Sequence, residues 1–123
     1  MSKEFKIVVG GIVVDATLNE SKTAKMIYDA LPITGEAQIW GDEIYFDTEL
    51  QSSEENGQLT VALGDIALWL EGPALCIFLG KTPMSRGNEI RPASVVNVIG
   101  KIKDVSALFR KVKGGEKITF RRL

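Results

Sequence analysis

At 123 residues, with 45% hydrophobic and 25% charged side chains, the chain has the size and composition of one folded domain and is too apolar for intrinsic disorder. It has no histidine and one cysteine, which excludes Ser-His-Asp and Cys-His catalysis, histidine-ligated metal, cysteine metal clusters and intrachain disulfides. The net charge of −1 argues against nucleic acid as a partner, because such binders are usually basic overall.

Residues 1–6 place charges around Phe5 with no apolar stretch or cleavage site after them, so no export signal is expected. The later apolar runs are strand-sized, far short of the roughly 18 residues of a membrane helix. A cytoplasmic domain without membrane contact is the expectation. Phe5, Ile7 and Val9 alternate with Glu4, Lys6 and Val8; after Gly10-Gly11, Ile12, Val14, Ala16 and Leu18 alternate in the same way. This predicts a β-hairpin with a Gly-Gly turn. Asn19 or Ser21 then caps a helix whose apolar positions Ala24, Ile27, Tyr28 and Leu31 keep helical spacing, and Pro32 ends it. The glycosylation-like triplet Asn19-Glu20-Ser21 is read as that helix start.

Residues 37–46 are rich in β-formers and are broken by Gly41-Asp42, which predicts a bend within a strand pair. A polar loop follows at 51–58, then three short apolar runs at 59–63, 66–70 and 75–79, divided by Gly64-Asp65 and Gly72-Pro73. The stretch GKTPMSRGNEIRPAS at 80–94 is of a length at which connections are often functional. A strand at 95–102 leads into a second predicted helix, with Val105, Leu108, Phe109 and Val112 on one face, Asp104 as cap and Gly114 beyond, and residues 118–123 close the chain as a strand. Roughly eight strands, in runs rather than alternating with helices, predict a mostly-β closed barrel capped by two helices, one domain over residues 1–123.

Charge is segregated along the chain: residues 26–80 hold no lysine or arginine, while 101–123 hold eight of the fifteen basic residues. An electrostatic dipole is expected, with the basic end read as solvated surface. Gly80-Lys81-Thr82 resembles the end of a phosphate-binding loop, but Leu75 stands where that motif needs glycine, and Pro83 interrupts any helix after it. Asp42, Glu43, Asp47 and Glu49 read as a strand edge guarded by charge rather than as a cation site. Glu43 stands apart, since Trp40, Tyr45 and Phe46 surround it with apolar surface. Cys76, between Leu75 and Ile77, reads as core, and Trp40 and Trp69 suit a core as well. Arg86 and Arg91 sit in the long loop, where a fork of hydrogen-bond donors is well placed beside a barrel mouth.

The segment TAKMIYDALP at 23–32, the run WGDEIYF at 40–46, Gly64-Asp65 and GKTPMS at 80–85 together resemble the short cyclophilin-like proteins of archaea and bacteria over nearly the whole chain. The resemblance implies an eight-stranded barrel with a helix over each end. Cyclophilins proper are peptidyl-prolyl isomerases whose catalytic arginine lies on the strands after the first helix, in a phenylalanine-histidine-arginine segment. Here the corresponding stretch is 41–46, and it holds no arginine.

The expected function is therefore binding of a peptide or small molecule in an apolar pocket lined by Trp40, Glu43, Tyr45, Phe46 and Phe78 and overlooked by Arg86 and Arg91. No cofactor or metal is implied. The alternatives are a divergent prolyl isomerase using Arg86 or Arg91, or an enzyme of unrelated chemistry with Glu43 as the acid-base candidate.

Overall fold

The computed structural model describes residues 3–123; Met1 and Ser2, part of the segment read as lacking an export signal, lie outside the described residues. Strands β1 (Lys3–Val9) and β2 (Ile12–Leu18) form the predicted hairpin, in register from Lys3 opposite Leu18 to Val9 opposite Ile12. Gly10 and Gly11 both take positive φ, 55° and 83°, as a tight turn that matches the strand twist requires. The period of two sends Phe5, Ile7, Val9, Val14, Ala16 and Leu18 into one buried core.

Helix α1 (Lys22–Ala30) starts at Ser21, whose hydroxyl accepts from the Ala24 N–H at 3.1 Å. It stops where Leu31 turns extended at ψ 141°, the conformation a following proline imposes. Ala24, Ile27 and Leu31 pack into the barrel end. The polar loop straps this helix down. The Glu55 carboxylate accepts from the backbone N–H of Lys22 (3.0 Å) and Thr23 (2.9 Å) and from the Thr23 hydroxyl (2.7 Å), donors that a helix start leaves unpaired. These bonds, the Thr23 hydroxyl first, hold Glu55 below its ordinary pKa. Buried Asn97 joins in, donating to Thr23 Oγ1 at 3.1 Å and to the Ser53 carbonyl at 2.9 Å.

The remaining strands are β3 (Ile33–Glu36), β4 (Gln38–Trp40), β5 (Glu43–Asp47), β6 (Asp65–Trp69), β7 (Ala74–Phe78), β8 (Val96–Ile102) and β9 (Lys117–Arg122). Their order in the sheet is β3-β9-β1-β2-β8-β6-β7-β5-β4. Only Ala37 separates β3 from β4, and the first pairs with β9 while the second pairs with β5. One bent stretch of chain thus joins the two ends of the sheet and nearly closes it into a barrel. Counted as one strand, β3 and β4 reduce the nine strands to the eight expected. Inside the seam, Phe120 meets Phe46 edge-on with ring centroids 5.2 Å apart and Phe5 at the same distance. Gly35 lets β3 come this close to β5, since a Cβ there would lie 2.5 Å from the Phe46 ring.

The second predicted helix is not formed. Asp104 does cap a turn, accepting from Ser106 N–H at 3.0 Å, but only a 3-10 turn over Val105–Ala107 follows, and Arg110 takes a left-handed φ of 56°. Leu108 and Val112 still reach the core, as the apolar pattern required, while Phe109 stays 37% exposed. So short a segment lacks the length that offsets helix nucleation, and docking two side chains does not need regular helix. Among the described residues one α-helix caps the barrel instead of two. The run 59–63 also differs from expectation, forming only a bridge between Val61 and Ile90 while Leu59 and Leu63 stay exposed.

The expected charge dipole is partly cancelled in space. Lys101 lies 3.7 Å from Asp65, Arg110 3.3 Å from Asp42, and Lys103 pairs with Glu4. Among the described residues no helix is long and apolar enough to cross a membrane. Because Phe46 spans the seam, Phe46→Ala is expected to lower stability by about 3 to 5 kcal/mol, measured by urea unfolding against the wild type.

Candidate functional site

The pleat of β5 gives its side chains two destinations. Ile44 and Phe46 enter the barrel core, and Glu43 and Tyr45 face out. Register then decides their neighbours: Trp40 lies opposite Glu43, Tyr45 opposite Cys76, Cys76 opposite Ala67, and Trp69 opposite Ala74. The middle of this outer face carries the small side chains of Ala67, Ala74 and Cys76. Trp40, Tyr45 and Trp69 stand around them, so the difference in size leaves a depression. Pro92 and Ala93 of the long loop complete the wall, enclosing a cavity of about 260 Å³.

The loop is held in place by its own polar residues. Buried Thr82 donates its hydroxyl to the Arg91 carbonyl, and the Ser85 hydroxyl accepts from the backbone N–H of Thr82 (3.0 Å) and Arg91 (3.1 Å). Val61 N–H donates to the Ile90 carbonyl at 3.0 Å. At the cavity rim the Trp69 indole N–H donates to Ser94 Oγ (2.6 Å), which donates in turn to the Glu71 carboxylate (2.7 Å). This chain fixes the Trp69 ring as a wall.

Of the residues expected to line a pocket, Trp40, Glu43 and Tyr45 meet at the cavity. Phe46 and Phe78 do not. Phe46, 1% exposed, is turned inward by the period of two, and Phe78, though on the outer face, is fully buried with Ala67, Cys76 and Val96. Arg86 is exposed on the loop, and Arg91 binds Glu89 through Nε at 2.8 Å; neither lines the cavity. Trp69, Cys76, Pro92 and Ala93 are lining residues that the sequence reading did not assign to the pocket. Trp69 carries no local mark of this role, because its meeting with Tyr45 runs through the register of the intervening strand β7. The acidic cluster disperses: Asp42 turns to Arg110 while Glu43 enters the outer cavity.

Glu43 is the unusual group. It is 5% exposed, and its Oε1 has no hydrogen-bond partner among the described residues. Burial pushes its carboxyl from the ordinary 4.5 up to about 7, and the Cys76 thiol beside it offsets only part of this. Burial, with the Glu43 carboxylate adding to it, drives the Cys76 thiol well above its ordinary value. That is the opposite of an activated nucleophile. The site therefore offers an apolar, ring-walled space, one buried carboxyl able to gain or lose a proton near neutrality, and an inert thiol. Glu43 also borders a smaller cleft of about 50 Å³, which it lines with Asp42, Arg110, Leu79 and Leu108; that cleft holds little more than a water or two.

No curated protein matches the chain. Among solved structures, a hypothetical protein from Archaeoglobus fulgidus, known from its solution structure, is 40% identical, with a TM-score of 0.80 over 99% of this chain and 95% of its own. McbB, solved in complex with tryptophan, has a TM-score of 0.71 at 15% identity, over 96% of this chain and 44% of its own. The second likeness speaks for the fold. The sequence model of the Cyclophilin-like family matches residues 3–121, and with the barrel and the archaeal relative in agreement, the chain belongs to the cyclophilin-like family.

Proposed function

We propose that the chain is a binding protein that takes a small molecule, or one side chain of a peptide, into the cavity on the outer face of β4 to β7. The observation that carries this reading is the buried Glu43 carboxyl without a partner for Oε1 at the wall of an aromatic cavity. An unpaired buried acceptor is destabilising, and a barrel that needed only a filled surface would be better served by an apolar residue at this position. The volume of about 260 Å³ falls just below the roughly 300 to 1,000 Å³ of ligand sites, which suits a fragment-sized occupant.

The prolyl isomerase alternative draws no support from the loop. Stabilising a twisted amide, whose uncatalysed barrier is about 18 to 20 kcal/mol, calls for a donor at the cavity, and Arg86 and Arg91 lie outside its lining. A second reading, an enzyme of different chemistry, is favoured by Glu43 itself, since a carboxyl titrating near 7 is matched to proton transfer at neutral pH.

Two outcomes are expected. In a screen of small apolar fragments followed by the indole N–H signals of Trp40 and Trp69, binders shift both signals, and Ala93→Trp, which fills the rim, abolishes the shifts. If no fragment moves either indole, the binding reading fails; a fragment whose mass changes on incubation with the protein moves the assignment to the enzyme. The second outcome concerns stability. Between pH 4.5 and about 7 the folded protein keeps a proton on Glu43 that the unfolded chain releases, so stability falls as pH rises through this window, by on the order of 3 kcal/mol. Glu43→Gln removes this dependence. Urea unfolding should find the variant more stable than wild type by roughly 1 to 3 kcal/mol at pH 8 and no more stable at pH 4.

A further inference from the structure

We infer that the occupant of the outer cavity is an organic ammonium ion, a protonated primary or cyclic amine on a compact apolar body, held by Glu43 from one side and by the faces of Trp40, Tyr45 and Trp69 from the others. This rests on the binding reading above and names the chemistry of its ligand.

Three features converge on a cation. Glu43 is an acceptor without charge compensation: among the described residues no lysine or arginine forms an ion pair with it, and Arg110, which shares the smaller cleft with it, is paired with the neighbouring Asp42. Next, the wall is aromatic on separate elements, with Trp40 on β4, Tyr45 on β5 and Trp69 on β6. Rings grouped around one space attract a cation through their negative faces, more strongly where water is excluded. Last, no cationic donor for an anionic ligand stands in the lining: the Trp69 N–H is committed to Ser94 and neither Arg86 nor Arg91 is among the lining residues. An anion would meet a buried carboxyl with nothing to offset it, and a neutral apolar ligand would leave that carboxyl without a charged partner. An N–H cation resolves both.

Proton and ligand then compete for one carboxyl. The titratable and charged groups around it are the Cys76 thiol from β7, Tyr45 from its own strand, and, across the smaller cleft, Asp42 of the β4–β5 turn paired with Arg110; β4, β6 and the loop contribute Trp40, Trp69, Pro92 and Ala93, which do not titrate. A bound ammonium ion favours the carboxylate, so binding releases a proton at neutral pH. Affinity is greatest above pH 7 and falls as pH drops through the Glu43 titration, approaching a tenfold loss per pH unit. Alkylammonium ions themselves stay charged at pH 8, as the lysine value of about 10.4 indicates.

The test uses matched pairs on the full chain: benzylamine against benzyl alcohol, and cyclohexylamine against cyclohexanol, titrated at pH 8 and pH 5.5 and followed by the two indole N–H signals. The expected result is a preference of about tenfold or more for each amine at pH 8, most of it lost at pH 5.5. In Glu43→Gln, a variant expected to fold at least as well as wild type, the amine preference should shrink to what the rings alone supply and should no longer change between the two pH values. Equal binding of amine and alcohol to the wild-type protein at pH 8 overturns the ammonium assignment while leaving the cavity a binding site. Failure of all four probes to move either indole overturns the ammonium assignment, and the binding reading falls with it when the wider fragment screen is silent as well.

Discussion

The edge-on contact between Phe46 and Phe120 inside the barrel is the point at which the sheet is held to its own far end. Phe120 belongs to β9, next to β3, and Phe46 belongs to β5, next to β4. No ladder of backbone hydrogen bonds joins β3 to β5, so their approach rests on side chains and on the chain passing through Ala37. Gly35 leaves space for the Phe46 ring, and Phe5 backs Phe120 from β1. With Phe46 fixed inward, its neighbours Tyr45 and Glu43 have only the outer face left to them. The site is thus set by the same contact that closes the fold.

The two ends of the molecule solve their polar problems differently. At the α1 end, Glu55, Thr23 and Asn97 satisfy one another and the first backbone donors of the helix, and the Glu55 carboxylate is held ionised by those bonds. At the outer cavity a second carboxyl, Glu43, is left with one oxygen unpaired and is driven toward its neutral form. Both are glutamates in a chain with no histidine to titrate near neutrality, and burial has given Glu43 that range instead.

The legible parts of the sequence were those governed by local periodicity. The hairpin around Gly10-Gly11 and the helix from Ser21 to Pro32 follow from alternation, caps and breakers within a few residues of each position. The run of strands pointed to a closed barrel, and the resemblance agreed with it, while the order of strands around it came only with the structure. Where the reading failed, longer-range geometry was in control. Phe46 and Tyr45 are adjacent and both aromatic, and only the phase of the pleat separates core from cavity wall. Trp69 reaches the site through β7, and Phe78 loses its place there because the loop and β8 cover it. The expected second helix had the right apolar spacing; two of its residues dock, but the backbone between them takes a left-handed turn at Arg110.

Alternation along β5, β6 and β7 has a consequence for how such a protein changes over generations. Positions 44, 46, 66, 68, 75 and 77 fill the interior, while 43, 45, 69 and 76 face the outer cavity. A substitution at one set leaves the other set's packing nearly untouched, since the backbone lies between them. Ligand preference is therefore free to drift by single steps while the barrel stays intact, and chains that share this interior need share nothing in what they recognise.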